Sequence, residues 1–572
     1  MKLKKKLSNK ARQQIALLTQ KAMRAYLNSS LSHAEQHCRE ILARDAANAD
    51  ACNLLGKIAE RQGEPDKARD IYLHSHRHHQ NHPPLLASLA LLHGRLGEHE
   101  LAIQYWQSFV KINSASPEGW QALSGEYGIL EQWEMAESAA IKSLKLAPDR
   151  AALHSNLGNI LLKLRRHSEA IPYLRKSAEL LPDDAEACFH LARALLDSGA
   201  MDEAFELFQQ TLRLNPDYID ALLMLLRFRK ATSYDDIIKH AESILDNPAA
   251  TPNQRAVLSF GLGKAWEDLN DFDKSFFHYA EGNRIRRKLT DFSIEDEQRK
   301  AELTKTLFTA ELFAEDRTIG CNGDEFLFIV GLPRCGSTLL AKILSAHTRV
   351  IDAGETDTLY DTIALLTSGD CDKIDLQSIV NLDQSQLDNA AAQYRTMMQR
   401  FYGNSEIYVD KTLPNFWLVG FIRLMFPGAK IVHCTRNPMD HCFSIFSNDF
   451  EGSLLKYTNN IEDIARYYQL YLDLAEHWRT TLPAEKYHEI SYESLIAAPE
   501  EISRSLLAFC NLEWDDACLN YHTSKSTVHT SSLAQVRQPI YKSSIERWKR
   551  YEKHLQPLIE ALGDAAKYKQ NK

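Results

Sequence analysis

Alanine recurs every 34 residues through the first half of the chain, and this period restricts the fold of that half more than any other feature. The alanines are Ala34, Ala68, Ala102, Ala136, Ala170 and Ala204. Leucines keep the same step at Leu55, Leu89, Leu123, Leu157 and Leu191, and prolines at Pro148, Pro182 and Pro216. A fixed period of this length is typical of an array of similar units, each of which covers its apolar face only by stacking on its neighbours.

Each period predicts two helices joined by a turn. The small alanine lets the second helix approach the first closely, and the proline marks the turn into the next unit because it cannot continue a helix. Gly63, Gly97 and Gly199 fall where the two helices of a unit are joined. A bulky residue follows most of the alanines by four positions, and Ala140 is an exception.

This spacing of leucine, alanine and proline resembles the tetratricopeptide repeat. We predict an α-solenoid of such repeats over residues 31–217, preceded by a basic N-terminal helix within residues 1–30. Residues 218–320 predict degenerate repeats and a helical connector. Within this region Leu225 keeps the 34-residue spacing of the leucines, and a weaker seventh unit extends from about Leu262 to Tyr279.

Solenoids of this kind present a concave face to a peptide or protein. We therefore expect the repeats to bind a protein or peptide. The alternative is that the array only serves as a scaffold for the second half, or that it joins two copies of the chain into a homo-oligomer.

A cluster of histidines lies at the end of one repeat, at His74, His76, His78, His79 and His82. Because a metal site needs convergent ligands and a second shell of partners, we interpret this cluster as polar surface.

Composition restricts the class of protein. At 572 residues the chain predicts two to four domains, and its net charge of −9 argues against nucleic acid as the main partner. No window reaches the length of a transmembrane segment, and no apolar stretch follows the basic residues 1–12 as a secretory signal requires. That basic run predicts a solvated helix face, or else a contact with an acidic membrane surface. Ten scattered cysteines indicate reduced thiols, so we expect a cytoplasmic protein.

The hydrophobic pattern of the sequence changes near Asp324, where short apolar runs begin to alternate with long helical patterns. The runs cover residues 326–330, 407–409 and 431–434, with a weaker, mixed run at 487–490. This alternation predicts an α/β domain over residues 321–572, with a parallel sheet covered by helices on both faces. Ligands bind at the carboxyl ends of the strands in such sheets, so the residues that follow each run are the informative ones.

A glycine-containing loop follows the first run and reads Gly331-Leu-Pro-Arg-Cys-Gly-Ser-Thr338. Residues 338–344 then show helical spacing, so the loop lies between a strand and a helix N-terminus, where backbone N–H groups favour an anion. The glycine spacing is that of a nucleotide P-loop, but Ser337 stands where that motif needs lysine. Arg334 supplies the positive charge instead, on a planar fork suited to oxyanions.

Polar residues follow the later runs in the same way. Glu355 comes shortly after the first helix, Lys411 follows the run at 407–409, and Arg436 follows the run at 431–434. Ser444 lies eight residues beyond Arg436. We expect these side chains to converge at one edge of the sheet.

The loop and the Arg436 and Ser444 pair resemble the sulfotransferases that use 3′-phosphoadenosine 5′-phosphosulfate, and the nearest branch is the protein-tyrosine sulfotransferases. A C-terminal stretch, Gln535-Val-Arg-Gln-Pro539 with Arg547-Trp548, is also similar. The resemblance covers roughly residues 324–555 and implies a P-loop-like fold that transfers a sulfuryl group to a hydroxyl. It requires no metal ion, and the sequence shows no set of metal ligands.

The resemblance also implies roles for individual residues. The loop residues would hold the donor's phosphosulfate, through Arg334, Cys335, Gly336, Ser337 and Thr338. Arg436 and Ser444 would hold its 3′-phosphate, because a charged fork with a hydroxyl donor grips a dianion. Three further positions would complete the nucleotide site, namely Tyr492, Ser532 and Arg547, the last of which is often lysine in the family.

Glu355 is the candidate general base, since sulfuryl transfer needs the acceptor hydroxyl deprotonated as it attacks. Lys411 is the candidate for stabilising charge on the sulfuryl group and the leaving phosphate oxygen, with an ordinary ion pair to Asp410 as its alternative. Another branch of the family uses a histidine as the base, which leaves His347, His433 and His441 open. We prefer Glu355 because its spacing from Arg334 matches the tyrosine branch.

Two other functions stay open at this point. One is a P-loop kinase or other nucleoside triphosphate enzyme, which the missing lysine disfavours. The other is a repeat scaffold whose second half is an inactive nucleotide-binding domain. The acceptor is equally open, and tyrosine in a peptide, a sugar hydroxyl, a lipid and a small phenol all fit the sequence.

Overall fold

The protein is described by a computed structural model that covers residues 8–164, 166–314, 322–367, 376–450, 453–521 and 544–567. The chain separates into two compact units, Met1–Leu214 and Asn215–Lys572. Residues 218–320, which the sequence assigns to a connector, lie in the second unit. Within the described ranges no helix is both long and apolar enough to cross a membrane.

The first unit is built from helices that pair in sequence order as six helical hairpins. They are α1 (Asn9–Leu27), α2 (Leu31–Leu42), α3 (Ala49–Arg61), α4 (Pro65–His76), α5 (Pro83–Arg95), α6 (His99–Ile112), α7 (Pro117–Ile129), α8 (Trp133–Leu146), α9 (Ala151–Lys163), α10 (His167–Leu180), α11 (Ala185–Ser198) and α12 (Met201–Leu214). The predicted α-solenoid is therefore confirmed. The helix expected within residues 1–30 is α1, which packs on α2 through the buried Ile15 and Ala22.

The 34-residue period has the physical cause expected from the sequence. All six periodic alanines lie in the second helix of a hairpin and are 0% exposed. Gly63, Gly97 and Gly199 join the two helices with φ angles of 79°, 78° and 94°, a conformation that glycine adopts without steric cost. The prediction of intra-repeat turns at these glycines is confirmed. Glu131 takes the corresponding place in α7–α8, with a φ of 55°.

The second unit begins with more helices, which include the degenerate repeats. They are α13 (Ile219–Phe228), α14 (Asp236–Asp246), α15 (Pro252–Asp268), α16 (Phe272–Leu289), α17 (Ile294–Leu307) and α18 (Ala310–Ala314). The pair α15–α16 is the weaker seventh unit. A Cβ atom on Gly263 would lie 2.5 Å from the Tyr279 ring, so glycine is needed where these two helices meet.

A five-stranded parallel sheet follows, in the order β2-β3-β1-β4-β5. The strands are β1 (Phe326–Val330), β2 (Val350–Gly354), β3 (Ile407–Asp410), β4 (Lys430–Thr435) and β5 (Tyr487–Ser491). The four strands predicted from apolar runs are confirmed. We did not predict β2, because only Val350 and Ile351 precede its polar residues and its register shifts between Asp352 and Gly354.

Helices cover this sheet and end the chain. They are α19 (Ser337–Ser345), α20 (Thr358–Thr367), α21 (Leu376–Val380), α22 (Gln384–Tyr402), α23 (Val419–Met425), α24 (Pro438–Phe446), α25 (Ile461–Thr481), α26 (Tyr492–Ala497), α27 (Pro499–Phe509) and α28 (Gln556–Leu562). Short 3-10 helices lie at Leu413–Leu418, Ser453–Asn459, Asp516–Cys518, Arg547–His554 and Gly563–Lys567. The strand order reverses between β1 and β4, and such a switch point opens a crevice at the carboxyl ends of the strands.

The hairpin α15–α16 packs against the sheet-containing part of its own unit. Arg547 forms a two-point ion pair with Glu267 of α15, at 2.6 and 2.5 Å, and their side chains are only 19% and 14% exposed. Asn283 of α16 donates to the backbone carbonyl oxygen of Phe446 at the end of α24, at 2.7 Å. This repeat-like hairpin is therefore an integral part of the second unit.

We expect Glu267→Gln to lower the free energy of unfolding of the second unit by about 3 kcal/mol, because it leaves the Arg547 guanidinium as an uncompensated buried charge. Urea denaturation followed by circular dichroism measures the change. The control is Glu281→Gln on the same hairpin, which removes only an exposed pair with Arg284 and should change stability far less. Equal effects of the two substitutions would show that the Glu267 pair does not hold the hairpin in place.

Candidate functional site

The loop between β1 and α19 has an unusual backbone. Gly331, Arg334 and Gly336 all have positive φ angles, of 150°, 74° and 100°. A Cβ atom on Gly331 would lie 2.8 Å from the carbonyl oxygen of Cys434, so only glycine fits there. Arg334 is in the left-handed region that a non-glycine residue seldom adopts, and such strain is concentrated at functional sites.

The structure brings Arg334 and Ser444 together across 110 residues of sequence. The Nε atom of Arg334 lies 3.4 Å from Oγ of Ser444, which sits near the end of α24. Ser444 is buried, so the surrounding protein fixes the position of its hydroxyl group. This contact places the loop after β1 next to α24.

Arg436 joins the same cluster from the end of β4. It donates from Nη1 to the carbonyl oxygen of Arg334 at 3.0 Å and from Nη2 to the carbonyl oxygen of Ser544 at 2.7 Å. Its Nε is buried and has no hydrogen-bond partner among the described residues. A buried cationic fork with an unused donor fits the oxygen atoms of an anion such as a phosphate.

Tyr492, the first residue of α26, packs against both parts of this cluster. The Arg436 guanidinium lies 4.9 Å from the centroid of its ring. A Cβ atom on Gly336 would lie 2.4 Å from the ring, so the absence of a side chain at Gly336 lets the tyrosine contact the loop. Tyr492 therefore supports the loop and the arginine together.

The remaining loop residues Cys335, Ser337 and Thr338 are all buried. Burial raises the pKa of the Cys335 thiol, but hydrogen bonds from Cys434 and Ser337 and the charge of Lys411 outweigh it and leave the pKa below its usual value. The Lys411 charge thus acts on the loop itself. Ser337 begins α19, which places its N–H group at the helix N-terminus where anions are stabilised.

Glu355 and Lys411 meet beside the loop. The Lys411 ammonium lies 2.5 Å from Oε1 of Glu355, and the lysine is 2% exposed while the carboxylate is 56% exposed. Two threonines join the segments that carry them, because Thr412 Oγ1 accepts from the Thr356 N–H and donates to the Thr356 carbonyl oxygen, at 2.9 and 2.8 Å. A buried cation beside an accessible carboxylate is an arrangement that can take a proton from a hydroxyl arriving from solvent.

Asp410, the alternative partner of Lys411, is engaged elsewhere. Its carboxylate accepts from the Tyr394 hydroxyl at 2.8 Å and from the Thr412 N–H at 2.9 Å. Burial raises the pKa of Asp410 to about 6. Asp410 therefore fixes the end of β3, while Lys411 pairs with Glu355.

The three histidines considered as bases are tied to structural partners or lie away from the loop. His441 is buried and donates to the Pro333 carbonyl oxygen at 3.0 Å, and burial lowers its pKa to about 3. His433 contacts Glu489 at 2.9 Å and the Tyr487 hydroxyl at 2.8 Å. His347 follows the far end of α19, about 13 Å along the helix axis from the loop.

Two buried acids that we did not predict hold the site together. Asp440 accepts from the N–H groups of Glu546 and Trp548, at 2.6 and 3.0 Å, and so fixes the C-terminal segment to α24. Glu493 accepts from the Asn437 N–H at 2.9 Å. Neither acid has a local sequence signal, because the N–H groups that donate to them lie 56, 106 and 108 residues away in the sequence.

Arg547 is a predicted nucleotide-binding residue whose hydrogen bonds go to other partners. The structure places Arg547 against Glu267, with its Nη1 donating to Oγ of Ser447 at 2.9 Å and its guanidinium 4.8 Å from the Phe443 ring. Its part in donor binding stays a prediction. Ser532 and the motif at 535–539 lie outside the described residues.

Among the residues that are described, no group of histidine, cysteine and acidic side chains could hold a metal ion.

Comparisons with known proteins agree with both parts of the chain. The family model for the sulfotransferase family matches residues 327–516, and a tetratricopeptide repeat model matches residues 130–185 and 156–219. An uncharacterized protein of Aquifex aeolicus is 33% identical over 345 residues, which cover 59% of this chain and 45% of that protein.

Two known enzymes match about two fifths of the chain. Protein-tyrosine sulfotransferase 1 of Danio rerio is 26% identical over 245 residues, which cover 39% of this chain and 65% of that protein. The protein-tyrosine sulfotransferase of Drosophila melanogaster is 25% identical over 246 residues, covering 39% and 46%. The matches thus span 45% to 65% of the lengths of these three relatives.

Solved structures that are similar to this chain include two helical proteins. MamA has a TM-score of 0.28 at 21% identity and covers 29% of this chain and 96% of its own. The pilF protein of Pseudomonas aeruginosa has a TM-score of 0.34 at 18% identity and covers 37% and 97%. The family models alone find a sulfotransferase domain at residues 327–516, with tetratricopeptide repeats before it in the same chain.

Proposed function

We propose that this protein transfers a sulfuryl group from 3′-phosphoadenosine 5′-phosphosulfate to an acceptor hydroxyl. The observation that carries the proposal is the convergence of Arg334, Arg436 and Ser444 on one loop, beside the Lys411 and Glu355 pair. The first group can hold a doubly phosphorylated donor, and the second can act on a reacting hydroxyl.

The donor would be held at both of its anionic ends. The loop N–H groups and the N-terminus of α19 suit the phosphosulfate, because backbone donors and the helix dipole favour negative charge. Arg436 and Ser444 suit the 3′-phosphate, since the arginine has an unused, buried Nε donor and the serine adds a hydroxyl donor. Tyr492 supports this arrangement through its ring, whose centroid lies 4.9 Å from the guanidinium.

The chemical step needs one base and one cation. Glu355 accepts the proton of the acceptor hydroxyl while the acceptor oxygen forms a bond to sulfur. The bond between sulfur and the phosphate oxygen breaks, and the leaving group is adenosine 3′,5′-bisphosphate. Lys411 is positioned to stabilise the negative charge that grows on the transferred group and on the leaving oxygen.

The acceptor reaches the site from solvent, because Glu355 is the exposed member of its ion pair. A tyrosine in a protein or peptide is the acceptor that we propose, on the strength of the similarity to protein-tyrosine sulfotransferases. The repeats would bring such a polypeptide to the enzyme. A cytoplasmic location also stays a proposal, supported by the eight described cysteines, which are all free.

Nucleotide binding separates this proposal from a kinase or other triphosphate enzyme. We expect adenosine 3′,5′-bisphosphate to bind the full chain in isothermal titration calorimetry and ATP with Mg²⁺ to bind far more weakly. The physical reason is that Ser337 replaces the lysine that contacts the β- and γ-phosphates in P-loop enzymes. Tighter binding of ATP with Mg²⁺ would overturn the proposal.

Arg436→Lys tests the role of the arginine fork. The lysine keeps the charge but loses the planar pair of donors, so we expect binding of adenosine 3′,5′-bisphosphate to weaken about 10- to 100-fold, the loss of one or two charge-assisted hydrogen bonds. Arg504→Lys is the matched control, since Arg504 pairs with Glu500 at the surface. Unchanged nucleotide affinity in folded Arg436→Lys would contradict the assignment.

Glu355→Gln tests the base. Transfer of labelled sulfate from the donor to fractionated host protein, glycan and small molecules first identifies the acceptor fraction. On that fraction we expect kcat to fall about 10²- to 10⁴-fold, the usual contribution of a general base, with affinity for the bisphosphate retained. Glu406→Gln, which removes an exposed pair with Arg349, should leave both unchanged. Wild-type turnover in Glu355→Gln would show that another group is the base.

A further inference from the structure

The repeat array contains a cavity of about 400 Å³ between α6, α7 and α8. Its walls include Val110 of α6, Trp120 and Tyr127 of α7, and Met135 and Ala139 of α8. The lining thus comes from two successive second helices and from the first helix between them. Cavities of about this size are large enough to enclose a bulky side chain or a small ligand.

The cavity exists because one repeat lacks a side chain that the others have. At the position of Ala139, the repeats before and after it carry Ile71, Tyr105, Tyr173 and Leu207. Tyr105 fills the corresponding space one unit earlier, where its ring lies 5.6 Å from the ring of His76 and stacks at 5.4 Å on that of His93. One period later, His76 and His93 correspond to Val110 and Tyr127, and both of these line the cavity.

The cavity also carries positive charge without a balancing acid. Lys111 and Lys142 line it, both are exposed, and neither forms an ion pair within the described ranges of the chain. The Lys142 ammonium lies 4.4 Å from the centroid of the Trp120 ring. The neighbouring carboxylates of Glu118 and Glu137 are paired with Arg150 and Arg166, at 2.6 and 2.8 Å. This local cationic site contrasts with the net charge of −9 of the whole chain.

We propose that the cavity binds an acidic peptide segment that inserts one large apolar or aromatic side chain. The inserted side chain would occupy the space left by Ala139, against Trp120, Tyr127 and Met135. Carboxylates next to it in the peptide would pair with Lys111 and Lys142. The proposal concerns the repeats alone and holds whether or not the second unit transfers sulfate.

A labelled decapeptide of aspartates and glutamates with one central phenylalanine is a direct probe. Its binding to the full chain is measured by fluorescence anisotropy without any sulfate donor. Phenylalanine has no hydroxyl, so the peptide cannot act as an acceptor at the second unit. We expect saturable binding, and binding at least about tenfold weaker when glycine replaces the phenylalanine, since burial of such a side chain carries about that much affinity.

Ala139→Tyr supplies the side chain that Tyr105 and Tyr173 provide in other repeats. We expect it to fill the cavity and to weaken binding of the peptide at least about tenfold while the helical circular dichroism of the chain is kept. The double substitution Lys111→Glu with Lys142→Glu changes only exposed residues, so it should also fold and should also lose binding. Lys145→Glu on the same helix lies outside the cavity and is the matched control.

Four results with the peptide would overturn the proposal, and a fifth comes from a small competitor. They are no binding of the peptide, equal binding to folded Ala139→Tyr, equal binding to the double lysine variant, and equal binding of the glycine peptide. Phenylacetate serves as a small anionic competitor. If it binds as tightly as the peptide, the cavity is a small-molecule site and the peptide proposal is wrong.

Discussion

The guanidinium of Arg436 is the interaction on which the arrangement of the candidate site depends. It contacts the loop after β1, the segment at Ser544 and the ring of Tyr492, three parts of the chain that are far apart in sequence. Its two direct hydrogen-bond acceptors are neutral carbonyl groups, so they satisfy the donors without cancelling the charge. An anion bound at Nε would supply the balancing negative charge, and under the proposed function the binding of the donor would then favour the ordered arrangement of all three segments.

Local patterns were sufficient to predict the framework around this arginine. The apolar run at β1, the glycine spacing of the loop and the 34-residue period each depend on residues that are close in sequence or repeat regularly. We did not predict strand β2, because it is an edge strand with a shifted register and few apolar residues. The choice of Glu355 and Lys411 as candidate site residues also came from their positions after predicted elements and from resemblance to a family.

Pairings between distant residues could not be predicted. Lys411 pairs with Glu355 rather than with its neighbour Asp410, and only the register of β2 and β3 explains the choice. Arg547 pairs with Glu267, a residue 280 positions earlier that no motif includes. The cavity beside Ala139 depends on a missing side chain, and its significance appears only when the equivalent Tyr105 is seen to fill the same space.

The packing of α15–α16 against α24 and the C-terminal segment has a consequence for how much of the chain is needed to form the enzyme. Residues 327–516 match the family, yet contacts from outside that stretch hold α24 and the residues just after it. Asn283 bonds to Phe446 and Arg286 to Asp449 from before the stretch, and the N–H groups of Glu546 and Trp548 bond to Asp440 from after it. A fragment trimmed to the family match would therefore expose surfaces and buried charges that the whole second unit covers. The smallest piece that folds by itself is accordingly larger than the stretch that matches the family, and a repeat hairpin is part of it.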